Sequence, residues 1–425
     1  MTRSLSDAVL ADVDRRLAVA DARSADRYPG DDGRRQPVHT VYVPGDEYSA
    51  TIPADWGSAA LAAAGDAGGL DAVAVLVGAN RESHCEPDTL AALVENKLAA
   101  EPIEDLRIDF EDGYGTVDDA VEDADVARAV TALRSALDAG TSTPFVGTRF
   151  KCLEAATRAR GLRTLDMFVS GLVGTGGLPD GLTLTLPKVT CVEQIEAMVA
   201  VTSALETANG LPDGRIRFEI QVETPQAILG ADGRAPVAPF IHAGQGRVSS
   251  LHYGTYDYSA SLGIAAAYQS MEHPVADHAK NVMQTAVAGT GVHLSDGSTN
   301  VLPVGDPDNV ATAWKLHARL VRRHLERGIY QGWDLHPAQL VTRYLATYAF
   351  YRGAFAAAAT RLRTYVHRLD STVMDEPATA RALANVIHRG SVCGALTADE
   401  IETAVDLPLP TVRDIALGRR PRSTQ

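Results

Sequence analysis

Three carboxylates follow a short apolar run in the segment LRIDFEDGYG, residues 106–115. They are Asp109, Glu111 and Asp112, and two glycines close the segment. An apolar run that delivers acids to a glycine-containing turn is typical of the carboxyl end of a strand in a β/α barrel, which is where barrel enzymes place their chemistry. The segment therefore predicts one edge of an active site.

Four further polar residues follow short apolar runs later in the chain: Arg149 in VGTRFK, Lys188 in TLPKV, Glu223 in IQVETP and Asp257 in HYGTYDYSASLG. Taken singly, Glu223 could form a salt bridge at the edge of the fold and Asp257 could cap a helix. Taken together, two carboxylates on separate strand ends suit Mg²⁺, which prefers oxygen ligands and commonly keeps several waters. An arginine nearby would add a planar, bidentate contact for a substrate carboxylate.

Short β-branched runs alternate with longer helical runs from Val38 onward. The short runs are VHTVYVP, DAVAVLV, LRIDF, PFVGTRF, LTLTLPKV, RIRFEIQVE, VSSLHYG, TGVHLS and GIYQGWDL. This alternation predicts parallel strands joined by crossover helices, and about eight strands close a barrel. An open doubly wound sheet is the alternative, but the glycine-rich and Walker sequences of nucleotide-binding open sheets are missing.

We therefore predict an α/β fold, a (β/α)₈ TIM barrel with an N-terminal helical extension and a C-terminal helical arm. Residues 1–37 are interpreted as a helix and linker, 38–355 as the barrel, and 356–425 as an arm or lid that packs on a neighbouring protomer. The Gly/Pro-rich stretch 231–246 is interpreted as a long loop at the active-site edge of the barrel.

Composition excludes several classes of protein. With 39 Lys+Arg against 54 Asp+Glu, the formal net charge of -15 argues against nucleic acid or an anionic membrane as a partner. The four cysteines are scattered without a CxxC pair, so neither a disulfide framework nor a structural zinc site is indicated. No apolar window approaches the roughly 20 residues of a membrane span. These features predict a soluble, cytoplasmic protein.

The motifs also carry a family resemblance. The order IDFEDG, TRF, LPKV, VETP, GTYDYSASLG and GWDLHPAQL resembles the superfamily of citrate lyase β-subunits, malyl-CoA lyases and HpcH/HpaI aldolases, and more distantly malate synthase. The resemblance extends from VYVPGDEY at Val41 to MDEPATARAL at Met374. It implies a Mg²⁺-dependent barrel that makes or breaks a carbon–carbon bond next to a carboxylate.

The resemblance also implies a role for each matching residue. Glu223 and Asp257 would bind Mg²⁺, and Arg149 would contact the substrate carboxylate and the oxyanion. The substrate-binding set would be completed by Glu111, Asp112 and Lys188. A further catalytic residue, Asp375, would reach a neighbouring subunit's site from a C-terminal lid, which implies a homo-oligomer, a trimer or a hexamer.

Three positions depart from the family pattern. Lys151 stands where an asparagine usually follows the arginine, and Trp333 or Asp334 stands where a lysine is often found. The second departure removes an expected contact to a CoA phosphate. In addition, 34 positions separate the two predicted metal ligands (257 minus 223), which is long for compact members.

The sequence therefore predicts a Mg²⁺-dependent carbon–carbon lyase or aldolase acting on a 2-oxo acid or a hydroxyacyl thioester. Lys188 could instead form a Schiff base in a metal-independent aldolase. A different class of function is suggested by the tail LTADEIETAVDLPLPTVRDIALGRR, which has the pattern of a helix-turn-helix, so a ligand-sensing regulator is the alternative. A barrel that has lost catalysis and serves as a scaffold is a third.

Overall fold

The computed structural model describes residues 4–369 and 376–419 of the chain. The strands found there are β1 (His39–Pro44), β2 (Asp105–Asp109), β3 (Phe145–Arg149), β4 (Leu184–Leu186), β5 (Phe218–Val222), β6 (Val248–Tyr253), β7 (His293–Ser295) and β8 (Gly332–Asp334). The α-helices are α1 (Asp7–Arg27), α2 (Ile52–Asp66), α3 (Leu70–Val77), α4 (Ala79–Ser83), α5 (Pro87–Ala100), α6 (Asp119–Asp138), α7 (Arg158–Thr175), α8 (Val192–Ala208), α9 (Pro225–Ile228), α10 (Val237–Ala243), α11 (Thr255–Ser261), α12 (Pro274–Val287), α13 (Pro307–Glu326), α14 (Pro337–His367), α15 (Pro377–Val392), α16 (Ala398–Val405) and α17 (Leu409–Ala416).

The strands form one parallel sheet that closes into a barrel. Strands β1 to β7 pair in chain order, and β8 pairs with β1. Between β7 and β8, Ser295 and Gln331 form a single parallel bridge, and the amide of Asp296 donates to the Gln331 carbonyl at 2.9 Å. The predicted (β/α)₈ barrel with helical extensions at both ends is confirmed.

Side chains alternate between the barrel interior and the surrounding helices, as the pleat of a strand requires. On β2, Leu106 and Ile108 belong to the apolar core, whereas Arg107 lies inside the barrel and donates to Glu219 on β5 at 2.7 Å. The same alternation turns Asp109, at the end of β2, inward. Because all strands are parallel, their carboxyl ends share one edge of the barrel, which we call the rim.

One predicted strand is a helix. The run DAVAVLV lies in α3, where Leu70, Val73 and Ala74 are buried at the i, i+3, i+4 spacing of a helix. The helix starts after Gly69 and ends at Gly78, which adopts the left-handed conformation (φ 77°) that a helix end often takes. A short, wholly apolar run does not distinguish a strand from a buried helix, which explains the error.

The predicted rim loop at 231–246 is also corrected. It contains α10, whose Val237, Phe240 and Ile241 are buried at helical spacing. The segment immediately precedes β6, and the ring of His242 packs edge-on against Tyr28 at 5.8 Å. The stretch therefore leads to the amino end of β6, at the side of the barrel opposite the rim.

The C-terminal helices build a second small core on their own chain. Helix α14 has 31 residues, about 46 Å at 1.5 Å per residue, and the proposed domain boundary at 355/356 falls inside it. Its second half contributes Leu362 to a cluster with Ile387 of α15, Ile401 of α16 and Val412 of α17. These helices thus pack on α14 of the same chain, and the expected packing of the arm on a neighbouring protomer stays a prediction.

Helix α1 has no buried residue, and its apolar side chains, such as Leu17 and Val19, are exposed. Within the described residues, no individual helix is both long and apolar enough to cross a membrane. The helices α2 and α3 meet the criterion only as a pair joined across a 73° bend.

Candidate active site

Five consecutive strands, β2 to β6, deliver the predicted site residues to the rim. Arg149 is the last residue of β3, and Glu111 follows β2 by two positions. Lys188 follows β4 by two positions, Glu223 comes directly after β5, and Asp257 lies in the first turn of α11, which follows β6. Neighbouring parallel strands carry these residues, so the structure brings the predicted set to one side of the barrel mouth.

Arg149 is buried and paired with an acid that was not included in the predicted set. Its Nε and Nη2 atoms donate to the two carboxylate oxygens of Asp109 at 2.7 and 2.6 Å. Its remaining Nη1 lies 3.4 Å from Gln221 Oε1 and 3.7 Å from Glu111 Oε2. Half of the guanidinium fork is therefore occupied, and only the Nη1 side is available to a substrate. The inward alternation of β2 was the signal that could have identified Asp109.

Two aromatic rings complete the surroundings of Arg149. Its guanidinium carbon lies 4.6 Å from the ring centre of Tyr42 on β1 and 5.7 Å from that of Trp333 on β8. The two rings contact each other, with centres 4.3 Å apart. Neither ring was among the predicted site residues.

Lys188 is held by the acids of the opening motif. Its Nζ donates to Glu111 Oε1 at 2.6 Å and to both carboxylate oxygens of Asp112 at 2.7 and 2.8 Å. Burial disfavours the ammonium, but the hydrogen bonds that it donates to Asp112 and Glu111 outweigh burial and raise the pKa of Lys188 above its ordinary value. A protonated, fully engaged amine is a poor Schiff-base nucleophile, so these contacts favour a positioning role.

Glu223 is fully buried and only half satisfied. Its Oε1 accepts from the backbone amide of Lys188 at 2.8 Å, whereas its Oε2 is buried without a hydrogen-bond partner among the described residues. Gly254 makes room for it, because a Cβ at that position would lie 2.5 Å from the Glu223 Cβ and 2.7 Å from Oε2. The site therefore presents a buried carboxylate oxygen that has no hydrogen-bond partner among the described residues.

The electrostatics of the rim disfavour carboxylate charge. Burial, and then the nearby charge of Asp257, raises the pKa of Glu223 to about 8. Burial also raises the pKa of Glu111 to about 7, although Arg149 acts in the opposite direction. A bound cation would relieve this by favouring the charged form of the buried Glu223 carboxyl.

Asp257 is the most exposed of the candidate metal ligands. It is the third residue of α11, whose N-cap is Gly254, so the alternative interpretation as an N-cap is not what the structure shows. Among the described residues, none hydrogen-bonds to its carboxylate. Its oxygens are therefore available for a ligand.

The carboxylate oxygens of Glu223 and Asp257 suit a hard cation that retains several water ligands. In the described part of the chain, no three His, Cys, Asp or Glu side chains form a ready-made metal cluster. Mg²⁺ does not need one, because it is commonly held by one or two carboxylates, with water and substrate oxygens filling the octahedron. The unpartnered Oε2 of Glu223 beside the free carboxylate of Asp257 meets that requirement.

Lys151, which departs from the family pattern, is not part of this group of residues. Lys151 points away from the site and donates to the Phe110 carbonyl at 2.8 Å and to Glu122 of α6 at 2.7 Å. It therefore anchors the end of β3 to the helical layer. Asp375 lies outside the described residues.

A closed ring of parallel strands with acids and a buried arginine on its carboxyl edge defines a β/α barrel with an enzyme-like site. The chain belongs to the family described as a domain of unknown function (DUF6986), which matches residues 17–420.

Proteins of known activity are also similar. An L-malyl-CoA/beta-methylmalyl-CoA lyase of Cereibacter sphaeroides is 23% identical over 335 residues, which cover 76% of this chain and 94% of that protein. Malate synthase of Haloferax volcanii, solved with magnesium and glyoxylate, has a TM-score of 0.51 at 12% identity and covers 91% of this chain and 99% of its own. Protein CitE of Mycobacterium tuberculosis, solved with magnesium, acetoacetate and coenzyme A, has a TM-score of 0.49 at 16% identity, covering 84% and 97%. The predicted resemblance to malate synthase is confirmed at the level of the fold.

Proposed function

We propose that this protein is a Mg²⁺-dependent carbon–carbon lyase or aldolase acting on a 2-oxo acid or a hydroxyacyl thioester. The observation that carries the proposal is Glu223, a fully buried carboxylate whose Oε2 has no partner in the described chain and whose pKa is raised by burial and by Asp257. Leaving a buried charge unpaired is costly, so such a group indicates a cation that the chain itself does not supply.

In this proposal Glu223 and Asp257 hold the Mg²⁺. When bound, the ion would act as a Lewis acid that polarises the substrate carbonyl and stabilises negative charge on its oxygen. The Nη1 side of Arg149 binds the substrate carboxylate, and Asp109 fixes the guanidinium in place. Lys188 holds the Glu111–Asp112 segment against the site.

The names of similar proteins agree with this class of chemistry. The lyase of Cereibacter sphaeroides acts on malyl-CoA thioesters by its name, and the malate synthase of Haloferax volcanii was solved with magnesium and glyoxylate. Both point to small oxo acids and acyl thioesters as substrates to test.

The proposal includes Asp375 as a proton donor or base in the site of a second subunit. The support for this role is the family resemblance of the MDEPATARAL segment, in which the matching aspartate reaches a neighbouring subunit's site from a C-terminal lid. The role therefore implies a homo-oligomer.

The test is a panel of pyruvate, glyoxylate, oxaloacetate and malyl- and citramalyl-thioesters, assayed with Mg²⁺ and with EDTA for release or consumption of a 2-oxo acid. We expect at least one substrate to be turned over only with Mg²⁺. Glu223→Gln should lower that turnover by about 10²-fold or more, the scale seen when one group that stabilises developing charge is removed. The matched control is Glu196→Gln, at an exposed carboxylate on α8.

Turnover that resists EDTA, or a Glu223→Gln variant as active as the Glu196→Gln control, would contradict the proposal.

The alternative function, a ligand-sensing regulator with a helix-turn-helix tail, gains no specific support. Val412 and Ala416 of α17 are buried in the C-terminal cluster, and Arg413 and Arg419 donate to the backbone carbonyls of Gly33 and Asp32.

A further inference from the structure

Trp333 lies on the inner side of β8. The next residue, Asp334, faces the helices, because it accepts from Arg343 of α14 at 2.8 Å. Since side chains alternate along a strand, Trp333 points into the barrel, where its ring meets Tyr42 and the guanidinium of Arg149. The chain therefore places an indole inside the barrel beside Arg149.

The indole N–H of Trp333 is a buried donor without an acceptor among the described residues. Trp314 offers a contrast, since its Nε1 donates to the Ala338 carbonyl at 2.8 Å. Leaving a buried donor unpaired is destabilising, and the great majority of buried polar groups have a partner. An unpaired indole N–H next to Arg149 thus indicates an acceptor that comes from outside the chain.

Arg149 alone offers a substrate acid too few donors. Its Nε–Nη2 edge is committed to Asp109, so the usual side-on, two-bond contact with a carboxylate is already used. A substrate carboxylate that meets the Nη1 side needs a second donor from another element. The Trp333 ring is centred 5.7 Å from the guanidinium carbon and carries such a donor.

We propose that the Nε1–H of Trp333 donates a hydrogen bond to a carboxylate oxygen of a short-chain 2-oxo acid bound against Arg149. This inference rests on the proposed function and adds a substrate-binding residue to it. The contacting rings of Trp333 and Tyr42 close the β1–β8 side of the mouth, and they would therefore also limit the length of the acid on that side.

The first test is binding of oxalate, a planar dianion that resembles the enolate form of pyruvate, measured by calorimetry with Mg²⁺ present. Trp333→Phe retains an aromatic ring against Tyr42 and Arg149 but removes the N–H. We expect it to weaken oxalate binding about 10- to 100-fold, the loss of one hydrogen bond to a charged group. Trp56→Phe, at a tryptophan on α2, is the matched control and should bind as the wild type does.

The second test reads the hydrogen bond directly. The chain has three tryptophans, so a ¹⁵N-labelled sample gives three indole N–H signals, and Trp333→Phe identifies the one from Trp333. We expect oxalate to move the Trp333 proton signal downfield. The signal of Trp314, whose N–H is already bonded, should stay in place.

The outcomes separate this inference from the proposed function. If the wild type binds oxalate while Trp333→Phe binds it equally well and the Trp333 signal does not move, the inference is overturned and the proposed function stands. If the wild type neither binds oxalate nor turns over any acid of the panel with Mg²⁺, both are overturned. Weakened binding by Trp333→Phe together with a shifted Trp333 signal supports both.

Discussion

At the scale of single residues, the site is dominated by carboxylates that lack enough positive charge. Arg149 is neutralised by Asp109, and Lys188 is shared by Glu111 and Asp112. Burial and the charge of Asp257 raise the pKa of Glu223, and the nearby charges of Arg149 and Lys188 do not offset them. We interpret this shortage of positive charge as evidence that the site binds a divalent cation.

That deficit predicts a pH-dependent stability when divalent ions are removed. The folded-state pKa of Glu223 is about 8, above its ordinary value of 4.5, so between these values the folded chain binds more protons than the unfolded chain. Its contribution therefore lowers stability as the pH rises from about 4.5 to about 8. In EDTA, the melting temperature of the wild type should fall relative to that of Glu223→Gln as the pH is raised from 5 to 9.

Adding Mg²⁺ provides the control for that measurement. A bound ion stabilises the folded wild type by mass action and should reverse the difference at pH 9. Parallel melting curves for the two proteins across the whole pH range in EDTA would contradict the charge deficit.

At the scale of elements, a buried polar network fixes the closure of the barrel behind the site. Asp334, at the end of β8, accepts from Arg343 of α14 and lies 2.9 Å from His39 Nδ1 on β1 and 3.0 Å from His317 Nε2 on α13. Arg343 in turn contacts His324 at 2.7 Å. One carboxylate thus ties β8 to β1 and to two helices, and it sets the direction in which Trp333 points.

Breaking this network should be costly. Asp334→Asn leaves Arg343 buried without its counter-charge, and removal of one partner from a buried ion pair typically costs about 3–5 kcal/mol. Chemical denaturation should show this loss, whereas Asp399→Asn, at an exposed position on α16, should stay within about 0.5 kcal/mol of the wild type. If Asp334→Asn were as stable as Asp399→Asn, the buried network would not be what keeps the barrel closed between β8 and β1.

At the scale of elements, some segments could be predicted from the sequence and others could not. The strands that end in IDFED, GTR and IQVE were predictable, because each changes from apolar to charged residues where the chain leaves the barrel wall. The run DAVAVLV was not, because it is apolar on every side and both periods fit it. The sequence drew attention to Asp109 and Trp333 but gave neither a role in the site, since their importance comes from partners on other strands.

At the scale of the whole molecule, a single copy leaves one helix without an apolar partner. Helix α1 exposes apolar side chains and buries none of its residues. The proposed role of Asp375 in a neighbouring site would also need a second copy.

Complementation between inactive variants tests this arrangement. Arg149→Ala and Asp375→Ala should each be inactive alone. When the two variants are mixed and their subunits exchange, the mixture should recover about a quarter of the wild-type activity. In a randomly assembled symmetric oligomer, about one site in four combines an intact Arg149 with an intact Asp375 from the neighbouring subunit. The mass measured by light scattering should be a multiple of 45.0 kDa. A fully active monomer would exclude a site shared between subunits. A mixture of the two variants that exchanges subunits but stays inactive would exclude it as well.

The most direct test of the central claim is a calorimetric titration of Mg²⁺ into four chains: the wild type, Glu223→Gln, Asp257→Asn and the exposed control Glu196→Gln. The account predicts a single Mg²⁺ per chain for the wild type and the control, with binding lost or weakened at least about 10-fold in the other two. Equal binding by all four chains, or no binding by the wild type, would contradict the claim that Glu223 and Asp257 together hold the ion.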